Sequence, residues 1–439
     1  VLLGAQSEFA WHLAQGRPHR ADAALHRVRA TGADIQVALT SHRMPNGHPA
    51  STSSAAAMWQ WADRHRLPIV LTNAVRYLDA ADARVADVLD SARRLVPLRS
   101  FHTALNNGEA ALKTPSQMAE IASEIASAAG TDVRSLQRAT QALAEMCALD
   151  PVVDLGIGEV FVPELDTLLR RPVPNDPQQA VREADAILRQ RCRQSIDVRY
   201  PRRSDHANVE RRLHDELDAI AQLGFAGYFL TVAEVVDLVR QRGIRVAARG
   251  SGAGSLVNHL LGISGIDPIE HGLLMERFLS PLRRVLPDID IDVESARRLE
   301  VYDLIFERFG PQRVACVSMA ETYRVRHAVR DVGRALGLPD GDVDAFAKTF
   351  PHIRARDARA ALGDLPELRS SSFGRMAARG ELDVFLSLVE ALDGLPRHIA
   401  LHPCGVLLSD ASLLDRTPVE PSAAGYPMSQ FDTVDVEEM

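Results

Sequence analysis

Carboxylates occupy every second position of the segment Pro287-Asp-Ile-Asp-Ile-Asp-Val-Glu294. In an extended strand alternate side chains share a face. Asp288, Asp290, Asp292 and Glu294 therefore fall on one side, with Ile289, Ile291 and Val293 on the other. Pro287 stands at the first residue of that strand, where proline is tolerated. Alternate Cα atoms lie about 6.5–7 Å apart, so neighbouring carboxylates are able to converge on shared cations. Like charges stacked this way repel unless cations neutralise them. A solvated strand face is the plain alternative. Oxygen donors without His or Cys favour magnesium or manganese over zinc. Two such ions about 3.5–4 Å apart serve in-line phosphoryl transfer.

Upstream lies Arg249-Gly-Ser-Gly-Ala-Gly-Ser255, between an expected strand over Ile244–Ala248 and a helix expected from near Leu256. A glycine-rich turn that opens a helix offers backbone N–H groups and the positive end of the helix dipole, which suits a triphosphate. No Gly-Lys-Ser/Thr follows, so it is not a Walker loop. Alone it reads as a tight structural turn. Paired with a downstream Asp-x-Asp strand, it reads as equipment for nucleotidyl transfer.

Other residues carry weaker signals. Arg324, Arg326, Arg330 and Arg334 lie on an expected helix, the last three at i, i+4, i+8 spacing. They form either a solvated face or a contact to duplex backbone, which is salt-dependent and sequence-independent. Arg189, Arg191, Arg193, Arg199, Arg202 and Arg203 pose the same choice. His398 and His402 fall in a strand-like stretch, where their side chains do not converge as on a helix, and core packing is preferred to a metal site.

The elements that hold these residues follow from local patterns. Leu67–Thr72 reads as a buried strand and Pro45–Ser54 as a loop. Thr114–Leu149 reads as helical, with Thr114 as cap and Pro115 in the first turn. Pro151–Pro177 is proline-punctuated and reads as an extended connector. Asn208–Gln222 is a helix with Leu213, Leu217 and Ile220 on one face. Thr231 and Glu234 suggest a capping box ahead of a stripe of Val232, Val235, Val236 and Val239, closed by Gly243. Residues 320–395 read as helical and Arg-rich, and Ile399–Leu408 as strand.

Composition sets the outer bounds. The chain has 439 residues, 46% hydrophobic and 25% charged, so two or three globular domains are expected. No apolar run reaches the ~20 residues of a membrane helix. Cys147, Cys192, Cys316 and Cys404 show no CxxC spacing, which argues against zinc modules and disulfide frameworks and fits a reducing cytoplasm. The net charge of −8 opposes nucleic-acid binding at face value, but acidic metal sites and basic grooves cancel in that sum. Lys113 and Lys348 are the only lysines, so phosphate contacts would be arginine forks.

The motifs together resemble the C-family DNA polymerases, a family that includes the bacterial DNA polymerase III alpha subunit. The matching segments are Arg249–Ser255, Leu261-Gly-Ile-Ser-Gly-Ile-Asp-Pro268, Glu276-Arg-Phe-Leu-Ser-Pro281 and Pro287-Asp-Ile-Asp290. Ala328-Val-Arg-Asp-Val-Gly-Arg334, His402-Pro-Cys-Gly405 and Ser429-Gln-Phe-Asp432 follow in the family's order. Leu67-Pro-Ile-Val-Leu-Thr-Asn73 resembles the closing part of the family's PHP phosphoesterase-like domain. Val293-Glu-Ser295 and Glu321-Thr-Tyr-Arg324 are closer to the second, error-prone alpha-subunit copy than to the main replicase.

The resemblance implies an α/β multidomain chain. It assigns 1–95 to the C-terminal part of a PHP (β/α) domain and 96–318 to the first part of a polymerase-beta-like nucleotidyltransferase palm. An inserted helical thumb takes 319–396 and the palm's return 397–439. It implies that Asp288 and Asp290 are two of three catalytic ligands for magnesium or manganese. Arg249, Gly250, Ser251 and Ser255 would meet the incoming deoxynucleoside triphosphate. Arg324, Arg326, Arg330 and Arg334 would meet primer–template DNA.

A sliding clamp and other replication or translesion subunits would bind through regions outside this chain. Both ends are expected to be cut, with the third aspartate a few residues past Met439 and the fragment itself inactive. Active PHP members have Asp where Ala74 stands, and a later metal-binding His is not found around Ala81–Leu89, so that domain is expected to be a structural remnant. The rival readings are a PHP-type metal-dependent phosphoesterase or 3′–5′ exonuclease, and a non-catalytic DNA-binding scaffold.

Overall fold

The computed structural model describes residues 1–100, 105–173, 176–202, 206–275, 278–279 and 286–438. They form a mixed α/β chain with two compact units: Val1–Leu149 with Glu321–Arg397, and Asp150–Ala320 with His398–Met439. The first unit opens on a parallel sheet in the order β1 (Leu2–Leu3), β2 (Gln36–Leu39), β3 (Ile69–Leu71). Parallel neighbours need crossovers. Helices α1 (Glu8–Ala14) and α2 (Pro18–Arg29) supply the first, and α3 (Thr52–His65) the second.

The expected loop over Pro45–Ser54 ends at Ser51, whose hydroxyl accepts the Ser54 amide at 3.1 Å and starts α3. After α4 (Ala83–Arg94) come α5 (Pro115–Ala129) and α6 (Val133–Met146), parted by Gly130. Thr114 and Gln117 form the capping box of α5, with Pro115 in its first turn. Ile121 and Ile125 of α5 join Trp59, Trp61 and Val37 in one core. The boundary of this compact unit therefore falls at Leu149, beyond residue 95, because α5 covers the apolar face of α3. Ala74 sits in left-handed backbone at φ 44°, a conformation that Asp or Asn accepts more readily than Ala.

In the second unit the stretch expected as an extended connector contains two short helices, α7 (Pro151–Leu155) and α8 (Leu165–Leu169). Asp150 caps α7 by accepting the amides of Val152 and Val153 at 2.9 and 3.1 Å, and proline at the first helical position loses no bond. Then follow α9 (Pro177–Arg199), α10 (His206–Leu223) and α11 (Ala226–Gln241). The expected capping box of Thr231 and Glu234 does not form. Gly224, at φ 73°, breaks the chain after α10, and α11 begins more than a turn before Thr231. Thr231 instead donates its hydroxyl to the Gly227 carbonyl at 2.8 Å, and Glu234 receives Arg308 at 2.7 Å.

Next come β4 (Val246–Arg249), α12 (Leu256–Leu260), β5 (Asp290–Val293) and α13 (Arg298–Phe309). The core gathers Leu188, Leu217, Phe229, Val236, Leu256 and Ile289. After β6 (Val314–Thr322) the first unit receives α14 (Val325–Ala335), α15 (Asp340–Thr349), α16 (Ala358–Asp364), α17 (Pro366–Arg369), α18 (Ser372–Ala378) and α19 (Asp383–Ala391).

β7 (Pro396–Leu408) contains the expected strand; α20 (Leu413–Arg416), β8 (Val419–Pro421), β9 (Pro427–Ser429) and α21 (Thr433–Glu438) close the chain. Their sheet runs β7-β6-β9-β8, with β6 parallel and β8 antiparallel to β9. Among the described residues no single helix is long and apolar enough to cross a membrane.

Candidate functional site

The acidic segment and the glycine-rich turn meet because β4 and β5 pair antiparallel. Arg249 stands opposite Asp290, Ala248 opposite Ile291 and Ala247 opposite Asp292. Period-two alternation then does the sorting: Ile289 is buried in the core, with Ile291 and Val293 packed against it, while Asp288 and Asp292 are exposed. Arg249 reaches both acidic neighbours on the outer face, Asp290 at 3.5 Å and Asp292 at 3.1 Å. Glu294, one step further along, accepts the Arg245 amide at 3.1 Å and its guanidinium at 3.0 Å. Those bonds hold its carboxyl below the usual glutamate range. The repulsion of the acidic ladder is thus partly offset by Arg249 of the facing strand and by Arg245 just ahead of it.

Asp288 precedes β5. The segment there is anchored by Tyr228, whose hydroxyl donates to the Pro287 carbonyl at 2.9 Å. Burial pushes the Tyr228 hydroxyl to a higher pKa, and the charges of Asp288 and Asp290 push the same way.

Gly250–Gly254 winds as a 3-10 turn. Gly250 has φ 67°, and a Cβ there would lie 3.4 Å from Asp290 Oδ2, so a side chain would be strained and would crowd the carboxylate. Gly250 and Ser251 are exposed, whereas every residue from Gly252 to Leu260 is buried.

The inner end of the turn differs from the sequence expectation. Ser255 is 2% exposed, and its hydroxyl bonds Glu216 Oε2 at 3.0 Å. Glu216 also takes the Leu256 and Val257 amides, each at 3.0 Å. A carboxylate of the chain itself therefore fills the place that the sequence suggested for phosphate. With five residues, α12 also carries little macrodipole. Ser255 is a structural residue here, and the solvent-facing part of the turn is Arg249, Gly250 and Ser251.

Glu216 is what sequence reasoning missed. Its signal was a carboxylate placed among Leu213, Leu217 and Ile220 on the apolar face of α10. Burial pushes its pKa up, and the two amides and Arg212 oppose that push.

Asp288 and Asp290 offer oxygen donors of the kind magnesium prefers. Among the described residues no group of three or more His, Cys, Asp or Glu gathers closely enough to hold a metal. The donor type alone fits; the described side chains do not gather into a metal site.

The remaining candidates are held mostly by partners within their own unit. On α14, Arg326 donates to the Phe350 carbonyl at 2.8 Å and Arg330 pairs with Asp344 at 2.9 Å. Arg334 lies 3.5 Å from Asp331 and 3.9 Å from Asp340. Only Arg324, at the head of the helix, is exposed. The stripe is thus largely an α14–α15 seam.

Of the second arginine group, Arg189 pairs with Asp185 and Asp218, and Arg191 with Asp237. Arg193, Arg199 and Arg202 are exposed, and Arg203 lies outside the described residues. So do Glu276, Arg277, Ser280 and Pro281 of the segment 276–281. His398 and His402 lie on β7, where His402 Nδ1 accepts the Cys404 amide at 3.2 Å.

Residues 186–439 match the model of a family described as the bacterial DNA polymerase III alpha NTPase domain. An error-prone DNA polymerase of Symbiobacterium thermophilum is 35% identical over 375 residues, covering 85% of this chain and 32% of that protein. One from Nocardia farcinica is 34% identical over 425 residues, covering 95% of this chain and 33% of the relative. The DNA polymerase III subunit alpha of Xylella fastidiosa is 32% identical over 392 residues, covering 85% and 31%. The chain thus spans about a third of the length of these relatives.

Proposed function

Because this chain belongs to the bacterial DNA polymerase III alpha family, we propose that it carries the palm of a template-directed DNA polymerase, which joins deoxynucleotides to a primer 3′-hydroxyl. The observation that supports this most directly is the β4–β5 register. It brings the exposed Gly250–Ser251 turn against Asp290, so a glycine-rich turn and an acidic side chain share one face. In this reading Gly250 and Ser251 hold the triphosphate, and Asp288 and Asp290 act as ligands for magnesium, not as general bases. The chemistry such ions supply is neutralisation of charge at the reacting phosphate and activation of the primer hydroxyl. Arg249, beside Asp290 and Asp292, would offer its guanidinium to the triphosphate. Tyr228 fixes the backbone ahead of Asp288.

In this reading the PHP remnant reaches Leu149, the palm takes 150–318 and 397–439, and 319–396 is a thumb that holds duplex through its backbone. Deoxynucleoside triphosphates and primer–template DNA are the substrates, and a clamp would bind elsewhere in the whole protein.

The test uses the full-length polymerase with Asp288→Ala or Asp290→Ala. Primer extension should be lost while primer–template binding persists. Extension by either variant above about a tenth of the parent rate overturns the reading, since that is a barrier change under ~1.4 kcal/mol.

A further inference from the structure

We propose that Glu216 is a positioning residue for nucleotide binding: a built-in anion that fixes the inner end of the glycine-rich turn, so that Gly250 and Ser251 are held where the triphosphate meets them. The inference rests on reading that turn as the triphosphate site.

Glu216 is 1% exposed, on the apolar face of α10. Four donors converge on its carboxylate: the Ser255 hydroxyl, the Leu256 and Val257 amides, and Arg212 Nε at 3.1 Å. Arg212 carries the network onward, donating to the carbonyls of Gly254 at 2.6 Å and Leu273 at 2.7 Å. Ser255 in turn accepts the Asn258 amide at 3.2 Å, and the Asn258 side chain donates to the Gly252 carbonyl at 2.9 Å. The carbonyls of Gly252 and Gly254 are thereby both held from the interior side.

Glycines have the widest backbone freedom of any residue, and a run of them keeps one conformation only if something outside the run holds it. Glu216 and its partners are that hold. The same carboxylate saturates the Leu256 and Val257 amides, which confines phosphate to the outer Gly250–Ser251 segment. Removing it would leave the buried donors without an acceptor, a costly state that the turn relieves by shifting. A small carboxylate from solvent would meet the same four donors in Glu216→Ala.

The experiment compares Glu216→Ala, Glu216→Gln and Asp290→Ala in the full-length polymerase, measuring kcat and KM for the incoming deoxynucleotide with and without added formate. Glu216→Ala should raise KM about tenfold with kcat changed far less, the pattern of binding lost equally from ground and transition states. Formate should restore KM in Glu216→Ala and leave the parent unchanged. Glu216→Gln, isosteric but uncharged, should raise KM by about threefold without responding to formate. Asp290→Ala should lose kcat.

Extension by Asp290→Ala above about a tenth of the parental rate would remove the triphosphate-site reading itself. With Asp290→Ala inactive, a parental KM in Glu216→Ala overturns the positioning role. So does a joint loss of kcat and KM that formate does not repair. If Glu216→Ala does not fold, Glu216→Gln decides: a parental KM with only a lower melting temperature makes Glu216 a stability residue and overturns the proposal.

Discussion

Arg249 stands directly across the β4–β5 ladder from Asp290, its guanidinium 3.5 Å from that carboxylate and 3.1 Å from Asp292. One side chain thus holds a positive charge between two acidic groups on the face read as the metal site. A divalent ion arriving there competes with an internal cation.

Replacing Arg249 by Ala should therefore tighten manganese binding. Arg249 and Asp292 are largely solvated and Asp290 is half-buried, so the pairs are weak, and the gain should be about two- to fivefold. Titration of the chain with manganese, followed by electron paramagnetic resonance, measures it. In the full-length enzyme the same change should raise the deoxynucleotide KM, because the triphosphate loses a guanidinium. Weaker manganese binding in Arg249→Ala would show that Arg249 does not compete.

The arginines of α14 should separate into two kinds. Arg324→Ala should weaken duplex binding evenly across sequences and flatten the salt dependence by about one unit, as expected when a phosphate contact is lost. Arg330→Ala should leave that slope unchanged and lower stability by about 0.2–1 kcal/mol, because Arg330 is paired with Asp344. Filter binding across a salt series, beside thermal melting, distinguishes them. A flatter slope in Arg330→Ala alone would reverse the assignment.

Asp344 gives an acid signature. Lys348 and Arg330 hold its carboxyl below the ordinary aspartate value of 3.8. A group whose folded pKa is depressed contributes stability above its unfolded pKa, and loses it as pH falls through the folded one. Wild type should thus melt above Asp344→Asn at neutral pH, and the gap should close as the pH drops below 3.8. A gap that persists well below that pH would mean that the Asp344→Asn change costs stability for some reason other than charge.

Features that depend on local backbone geometry were legible in the order of residues. The alternation of Pro287–Glu294 gave the inward isoleucines and outward aspartates, because a strand turns each successive side chain to the other face. Thr114, Pro115 and Gln117 marked the start of α5, since the cap satisfies amides within four residues of itself. The order of motifs was enough to identify the family.

Local signals also misled where their context was missing: Thr231 and Glu234 have capping-box spacing, yet Gly224 starts α11 earlier and leaves both inside it. Tertiary structure alone decided which charges meet. Glu216 lies 39 residues from Ser255, and its role at the turn emerges only when α10 packs beneath α12. Arg330 and Asp344 became partners when α14 packed on α15, turning an apparent solvated stripe into a seam. Periodicity and capping act over a few residues and can be read in order. The pairing of distant charges depends on how helices and strands pack and register, which no local window of sequence contains.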